Sequence, residues 1–199
     1  LVDATVYAME QEKNIYPMTL AVGPATVAGN MRGVEALMID FFEEPEAVAQ
    51  LLDMVTETAL DFVRELAAVG AKYIYVADPV ASLVSPAAYE EFILPLHRRL
   101  FGAMKALGIG GRLHMCGNTS RILPVSCTCG AYIIDVDHAT DFAQAVKDVG
   151  SSCVLNGNID PVADVFECDA ARTEGAILRC AEETKGYRAM FMPGCELPT

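Results

Sequence analysis

The chain has 199 residues, 53% of them hydrophobic, so it can bury one sizeable core and its length favours a single domain. Its 27 acidic residues outnumber 14 basic ones, which gives a formal net charge of −13. The basic residues are spread without a cluster, whereas binding to a phosphate backbone requires a basic stripe. We therefore expect no nucleic acid partner.

The sequence contains neither a predicted membrane span nor a signal peptide. No apolar run reaches the roughly 20 residues that cross a bilayer. The first residues carry acids, whereas a signal peptide begins with a basic segment. We therefore expect a cytoplasmic protein that is not attached to a membrane.

The first half of the chain alternates helical periodicity with short apolar runs. We predict helices at 1–13, 33–42 and 45–69, and strands at 18–22 and 72–77. The helix that begins at Pro45 has the clearest pattern, because its apolar residues recur on one helical face until Gly70. The run 72–77 is rich in β-branched and aromatic residues, which is typical of a buried strand.

The second half of the chain repeats this alternation. We predict helices at 86–107, at 120–129, from 141 onward and at 169–185, and strands at 112–116, 132–137, 153–158 and 188–192. Ser85 as N-cap and Pro86 as first helical residue start a helix that Pro95 is expected to kink. Asp141, with Gln144 three residues later, has the pattern of a capping box.

Six short strands that alternate with helices predict parallel βα units and an α/β fold. Six strands are two fewer than the eight that close a TIM barrel. Either the chain is the carboxy-terminal segment of a longer protein, or it is a shortened form whose sheet edges are covered by a partner, such as a second copy. We expect the first arrangement.

The seven cysteines are an odd number, and without a signal peptide they are expected to be reduced thiols, most of them buried. Cys127 and Cys129 resemble half of a metal site in their spacing. They lie on a predicted helix, however, where residues two apart point in different directions. We therefore expect both to be structural.

Candidate metal ligands lie at or just past the ends of two predicted strands. His114 and Cys116 are two residues apart and so share one face of a strand, and an imidazole beside a thiolate is a typical pair of zinc ligands. The third ligand is expected to be Cys195, which follows the last apolar run after a Pro-Gly turn. Three protein ligands leave one position open, as in a catalytic zinc site. On spacing alone, a hydrogen-bonded core histidine beside an inert thiol remains the alternative.

Three motifs carry a resemblance to a known family: His114-Met-Cys116-Gly-Asn, Asn156-Gly-Asn158-Ile-Asp160-Pro161 and Pro193-Gly-Cys195-Glu-Leu-Pro. On these motifs the chain resembles the uroporphyrinogen decarboxylase superfamily over nearly its whole length. Within that superfamily it is similar to the zinc-dependent branch of methylcobalamin:coenzyme M methyltransferases. The resemblance implies that residues 1–199 are the carboxy-terminal part of a single TIM barrel domain and cover roughly its last six βα units.

The resemblance also implies a function. Zn²⁺ held by His114, Cys116 and Cys195 would activate a small thiol such as coenzyme M, and a separate corrinoid carrier protein would supply the methyl group. Another acceptor, including tetrahydrofolate, stays open. The alternatives are a metal-free carboxy-lyase of uroporphyrinogen decarboxylase type, which predicts an arginine cluster facing the substrate, and a non-catalytic barrel that binds a corrinoid protein.

Further polar residues stand near the ends of predicted strands. Asp137 is expected to be an exchangeable fourth ligand, an acceptor that orients His114, or a turn residue. Asp78, Asn158 and Asp160 are expected to line the substrate pocket. Asp160 before a proline is also typical of a helix N-cap.

Overall fold

The computed structural model describes residues 1–11 and 17–198, which form a parallel six-stranded sheet with helices between successive strands. The strand order in the sheet follows the order in the chain. The strands are β1 (Met18–Val22), β2 (Tyr73–Ala77), β3 (Gly110–His114), β4 (Ile133–Val136), β5 (Val154–Ile159) and β6 (Ala189–Pro193). The predicted α/β fold is confirmed, and the sheet is part of a barrel.

The α-helices in the described part of the chain connect the strands. They are α1 (Val2–Gln11), α2 (Pro24–Arg32), α3 (Val34–Glu43), α4 (Pro45–Ala68), α5 (Pro86–Ala88), α6 (Leu94–Ala106), α7 (Leu123–Ser126), α8 (Phe142–Val149) and α9 (Ala170–Glu183). Residues 12 and 13 of the first predicted helix lie outside the described residues. Within those residues, no helix combines the length and apolar character that crossing a membrane requires.

The long helix α4 shows how the helices attach to the sheet. Val48, Leu52 and Val63 recur at helical spacing and are at most 3% exposed. They belong to the same hydrophobic core as the outward side chains of the strands. Pro45 occupies the first turn, where its missing N–H would have had no helical partner, and the chain leaves the helix at Gly70 with φ of +89°.

Two helical regions differ from the predictions. α2 has no predicted counterpart, because the Gly23-Pro24 pair that indicates a turn also starts this helix, with Pro24 in its first turn. The predicted helix 86–107 is interrupted by a π-helical turn at Tyr89–Ile93, just before Pro95. Proline lacks the backbone donor that a regular helix would use there.

The segment before β4 is less helical than predicted. Of the predicted helix 120–129 only α7 forms, since the chain has to turn at Gly130, with φ of +95°, before it enters β4. The predicted start of α8 is confirmed, because the Gln144 N–H donates to the Asp141 side chain. The Gln144 side chain donates to Asp148 instead of closing the capping box.

The two faces of the sheet differ in polarity. The face under the helices carries aliphatic side chains that are at most 1% exposed, namely Ile74, Val76, Leu113, Ile134, Val136 and Leu155. The alternate positions carry Tyr75, Arg112, His114, Asp135 and Asn156. Because successive side chains of a strand point to opposite faces, these polar residues all lie on the inner face of the partial barrel.

Candidate metal centre

His114 and Cys116 lie at the carboxyl end of the sheet. His114 is the last residue of β3, and Cys116 follows it in the loop. Gly117 then takes a φ of +80°, a conformation that favours glycine, and the chain turns away from the two side chains. The strand end therefore presents an imidazole and a thiol next to each other.

Cys195 reaches the same place from the end of β6. The Gly194 N–H donates to the carbonyl of Ile159, which fixes the loop against the end of β5 (2.8 Å). A Cβ at Gly194 would lie 2.5 Å from the backbone nitrogen of His138. Only a glycine allows this close approach, so the glycine before Cys195 has a packing reason.

The three predicted ligand side chains converge. The His114 Nε2 lies 3.1 Å from the Cys116 Sγ and 3.9 Å from the Cys195 Sγ, and the two sulfurs are 3.7 Å apart. Tetrahedral zinc separates two sulfur ligands by about 3.8 Å and a nitrogen from a sulfur ligand by about 3.6 Å. The donor types and spacings therefore fit zinc, and in the described part of the chain no other group of three histidine, cysteine or acidic side chains meets so closely.

The surroundings of Cys116 disfavour its thiolate when no cation is present. Burial, followed by the hydrogen bond and the charge of Cys195, raises the pKa of Cys116 to about 12. Two adjacent thiolates are unfavourable unless a positive ion lies between them. A thiolate at Cys116 would therefore need a cation beside it.

Asp135 orients the imidazole. Its Oδ2 lies 3.0 Å from the His114 Nδ1, and the carboxylate is almost completely buried. Arg112 donates to both carboxylate oxygens, at 2.8 Å each, and Asn156 donates to Oδ1 at 2.8 Å. Because a carboxylate only accepts, Nδ1 carries the hydrogen and Nε2 keeps a free lone pair toward the cysteines.

The structure thus assigns to Asp135 the orienting role that was one of the expectations for Asp137. Asp137 accepts the N–H groups of Gly117 and Ala139, at 2.9 Å each, and so holds the loop that contains Cys116. Its oxygens are not among the converging ligand atoms. The alternation along β4 placed both aspartates on one face, but only the register of the strands shows which one faces the imidazole.

Asp78, predicted to line the pocket, is instead completely buried. Its carboxylate accepts the N–H groups of Ala25 and Thr26 and the Thr26 hydroxyl, and it lies 3.0 Å from the His97 Nε2. The residue therefore ties the first turn of α2 to the end of β2. Gly23 leaves the space for it, since a Cβ there would overlap the Asp78 side chain.

Asn158 and Asp160 line a different cavity from the cysteines. That cavity, of ≈ 410 Å³, lies beside α8 and α9 and does not include the three converging side chains. Asn158 donates to the Thr140 carbonyl, and Asp160 accepts the N–H groups of Val162 and Ala163. Asp160 therefore takes the N-cap role that its sequence also predicted.

A separate cavity reaches Cys116, one of the three candidate ligands. It has a volume of ≈ 380 Å³, and its lining includes Cys116, Gly117, Val80 and Leu83. These neighbours are mainly small or apolar. The cavity leaves one side of the Cys116 sulfur open to a small molecule.

The fold and the converging donors define a class of protein: a parallel α/β barrel, incomplete in this chain, with its polar centre at the strand ends where barrel enzymes have their active sites. A family model described as uroporphyrinogen decarboxylase (URO-D) matches residues 2–199. The chain belongs to this family, so the predicted resemblance is confirmed.

Two relatives in sequence and one solved structure in fold are similar to the chain. Methylcobamide:CoM methyltransferase MtbA of Methanosarcina acetivorans is 33% identical over 176 residues, 87% of this chain and 50% of the relative. A uroporphyrinogen decarboxylase of Syntrophotalea carbinolica is 31% identical over 161 residues, 78% of this chain and 46% of the relative. A methyltransferase structure from Methanosarcina mazei has a TM-score of 0.88 at 22% identity and shares the fold over 98% of this chain and 58% of that one. The chain spans about half the length of the curated relatives it matches.

Proposed function

We propose that the protein is a zinc-dependent methyltransferase that transfers a methyl group from a methyl-corrinoid, supplied by a carrier protein, to a small thiol. The observation that carries this proposal is the convergence of His114, Cys116 and Cys195 at the carboxyl end of the sheet. The relative MtbA, named a methylcobamide:CoM methyltransferase, supports the same reaction class. Coenzyme M is accordingly the first thiol to test.

The three side chains would hold the metal, each with a defined charge. His114 binds as a neutral imidazole because Asp135 holds its other nitrogen, and Cys116 and Cys195 bind as thiolates. When bound, zinc stabilises the thiolate of a substrate thiol, whose pKa is otherwise about 8.5. The two protein thiolates balance the charge of the ion, which keeps the substrate sulfur electron-rich and suits transfer of a methyl group.

The surroundings of Cys116 support a small thiol as the acceptor. The ≈ 380 Å³ cavity beside it has room for such a molecule, and Val80 and Leu83 line it with apolar surface. The methyl donor has to approach from the carboxyl ends of the strands, because the cysteines lie there. A corrinoid carrier protein would therefore dock over that end of the barrel.

We also propose that residues 1–199 are the carboxy-terminal part of a single barrel domain. The sheet has six strands where a closed barrel of this type has eight. Leu20 and Val22 of β1 and Met31 of α2 are each more than 40% exposed, as expected for side chains that further βα units would cover.

We also propose a cytoplasmic location, because thiol ligands stay reduced there.

A decarboxylase is the second candidate, because the Syntrophotalea carbinolica relative carries that name. A substrate with several carboxylates would require several unpaired cations on the inner face. Among the described strands, Arg112 is the one arginine, and it is paired with both oxygens of Asp135. The inner face therefore favours the methyltransferase.

The test is methyl transfer by zinc-loaded protein. The protein is mixed with methylcobalamin and coenzyme M; the absorbance of methylcobalamin and the mass of the methylated thiol are followed. We expect transfer by the native protein and by Cys168→Ser, a cysteine outside the centre, and loss of transfer in Cys195→Ser. A folded, zinc-loaded protein that transfers no methyl group to any thiol, even with a corrinoid carrier protein, would contradict the proposal. Decarboxylation of uroporphyrinogen without metal would favour the second candidate.

A further inference from the structure

A second pair of cysteines lies at the opposite end of the sheet. Cys127 follows α7, and Cys153 immediately precedes β5. Both are free thiols, less than 10% exposed, and their sulfurs are 2.8 Å apart. Their positions, 26 residues apart in sequence, place them on two neighbouring loops at the amino ends of the strands.

A cavity leads to this pair. It has a volume of ≈ 360 Å³, and its lining includes both sulfur-bearing residues together with Lys105 and Arg188. The hydrogen bond with Cys127 lowers the pKa of Cys153, and the charge of Arg188 lowers it further, while burial acts in the opposite direction. Cys153 is therefore the better nucleophile of the two, and the cavity gives a small reagent access to it.

We propose that Cys127 and Cys153 form a reversible disulfide when the protein meets a small peroxide. In the first step the Cys153 thiolate attacks one peroxide oxygen; the O–O bond breaks, a sulfenic acid forms, and hydroxide leaves and takes up a proton as water. In the second step the Cys127 sulfur attacks the Cys153 sulfur and forms the disulfide. The hydroxide that it displaces takes up the Cys127 proton and leaves as a second water. The two thiols lose two electrons in total, and hydrogen peroxide accepts both.

The pair differs from the metal centre in what it can do. No histidine or third cysteine comes close enough to it, within the described residues, to complete a metal site. Cys129, the nearest candidate in sequence, accepts the Ala131 N–H instead. The bond would close a loop that contains β4 and α8, so we expect oxidation to raise the melting temperature by roughly 5–10 °C.

The test is a map of the cross-link in zinc-loaded protein treated with a small molar excess of hydrogen peroxide. Trypsin places Cys127 and Cys129 in peptide 122–147, and Cys153 and Cys168 in peptide 148–172. We expect the two peptides to be joined in the non-reduced digest and separated by dithiothreitol. In the double variant Cys129→Ser/Cys168→Ser the joined peptides can only contain Cys127 and Cys153, and we expect them to persist.

Further variants test the order of the steps. In Cys127→Ser we expect dimedone to trap a sulfenic acid on Cys153, whereas in Cys153→Ser the Cys127 thiol should stay unmodified. The proposal would be overturned if peroxide oxidised the more exposed Cys168 of the native protein and left peptides 122–147 and 148–172 unjoined. So would a cross-link that disappears in the double variant, because it would assign the reactive thiol to Cys129 or Cys168.

Discussion

Each end of the sheet carries a close pair of thiols, and the two pairs have different neighbours. At the carboxyl end, Cys116 and Cys195 are 3.7 Å apart and share the space with an imidazole nitrogen. At the amino end, Cys127 and Cys153 are 2.8 Å apart and no third ligand joins them in the described structure. The residue type is the same, so the difference in chemistry has to come from the surroundings.

The surroundings act through geometry and charge. A histidine oriented by a buried carboxylate completes a set of three candidate metal ligands, and the open side of Cys116 leaves room for a fourth. Two thiols without such a nitrogen, beside an arginine that favours one thiolate, are suited to form a bond to each other. The comparison therefore supports the zinc site proposed for one end and the redox chemistry proposed for the other.

The largest effect should come from removing a ligand at the carboxyl end. In His114→Ala we expect the zinc retained after purification to fall from about one per chain toward zero, because two thiolates alone do not hold the ion. The measurement is metal content per folded chain. Cys127→Ala is the matched control and should keep its zinc; equal loss in both variants would remove the distinction between the two pairs.

The next largest effect should come from Asp78. This carboxylate directly follows β2, at the same end of the sheet as the cysteines, but its contacts are structural. Asp78→Asn weakens the buried contacts with Thr26 and His97, so we expect the free energy of unfolding to fall by about 3 kcal/mol, measured in urea. Zinc per folded chain should stay unchanged. Zinc loss without destabilisation would show that Asp78 belongs to the site.

The roles of these aspartates mark the limit of prediction from sequence. Alternating helices and strands were enough to predict six parallel strands, and the strand ends at His114 and Cys195 placed the converging side chains. Asp78 follows a strand in the same way, yet it faces α2 rather than a pocket, because Gly23 leaves space there. Asp135 was missed because register between strands, not position along one strand, brings it to the imidazole.

Short irregular segments were the other limit. In the predicted helix 120–129, Pro124 can only stand in the first helical turn and the chain turns at Gly130 into β4, so only α7 forms. The proximity of Cys127 to Cys153 could not be read from either segment alone. It arises from two loops that the parallel sheet places side by side.

A smaller effect than ligand loss is expected from Asp135→Asn. The amide can accept from His114 but leaves Arg112 without its charged partner, so we expect zinc affinity to fall roughly 10- to 100-fold. Zinc affinity is measured by competition with a chelator of known affinity. The spectrum of the cobalt(II)-substituted variant should still show two thiolate ligands. Asp164→Asn, a buried aspartate paired with Arg172 elsewhere, is the matched control and should keep native affinity.

The smallest effect should come from Cys127→Ala. Removing one buried sulfur from a pair that holds no metal should lower the free energy of unfolding of the reduced protein by about 1 kcal/mol. Zinc affinity should not change, and the combined variant Cys127→Ala/Asp135→Asn should lose zinc affinity by the same factor as Asp135→Asn alone, since distant sites act independently. A larger loss in the combined variant would mean that β4, which lies between Cys127 and Cys153 in sequence, transmits strain from the amino end to Asp135. The two thiol pairs would then be one coupled unit rather than two separate sites.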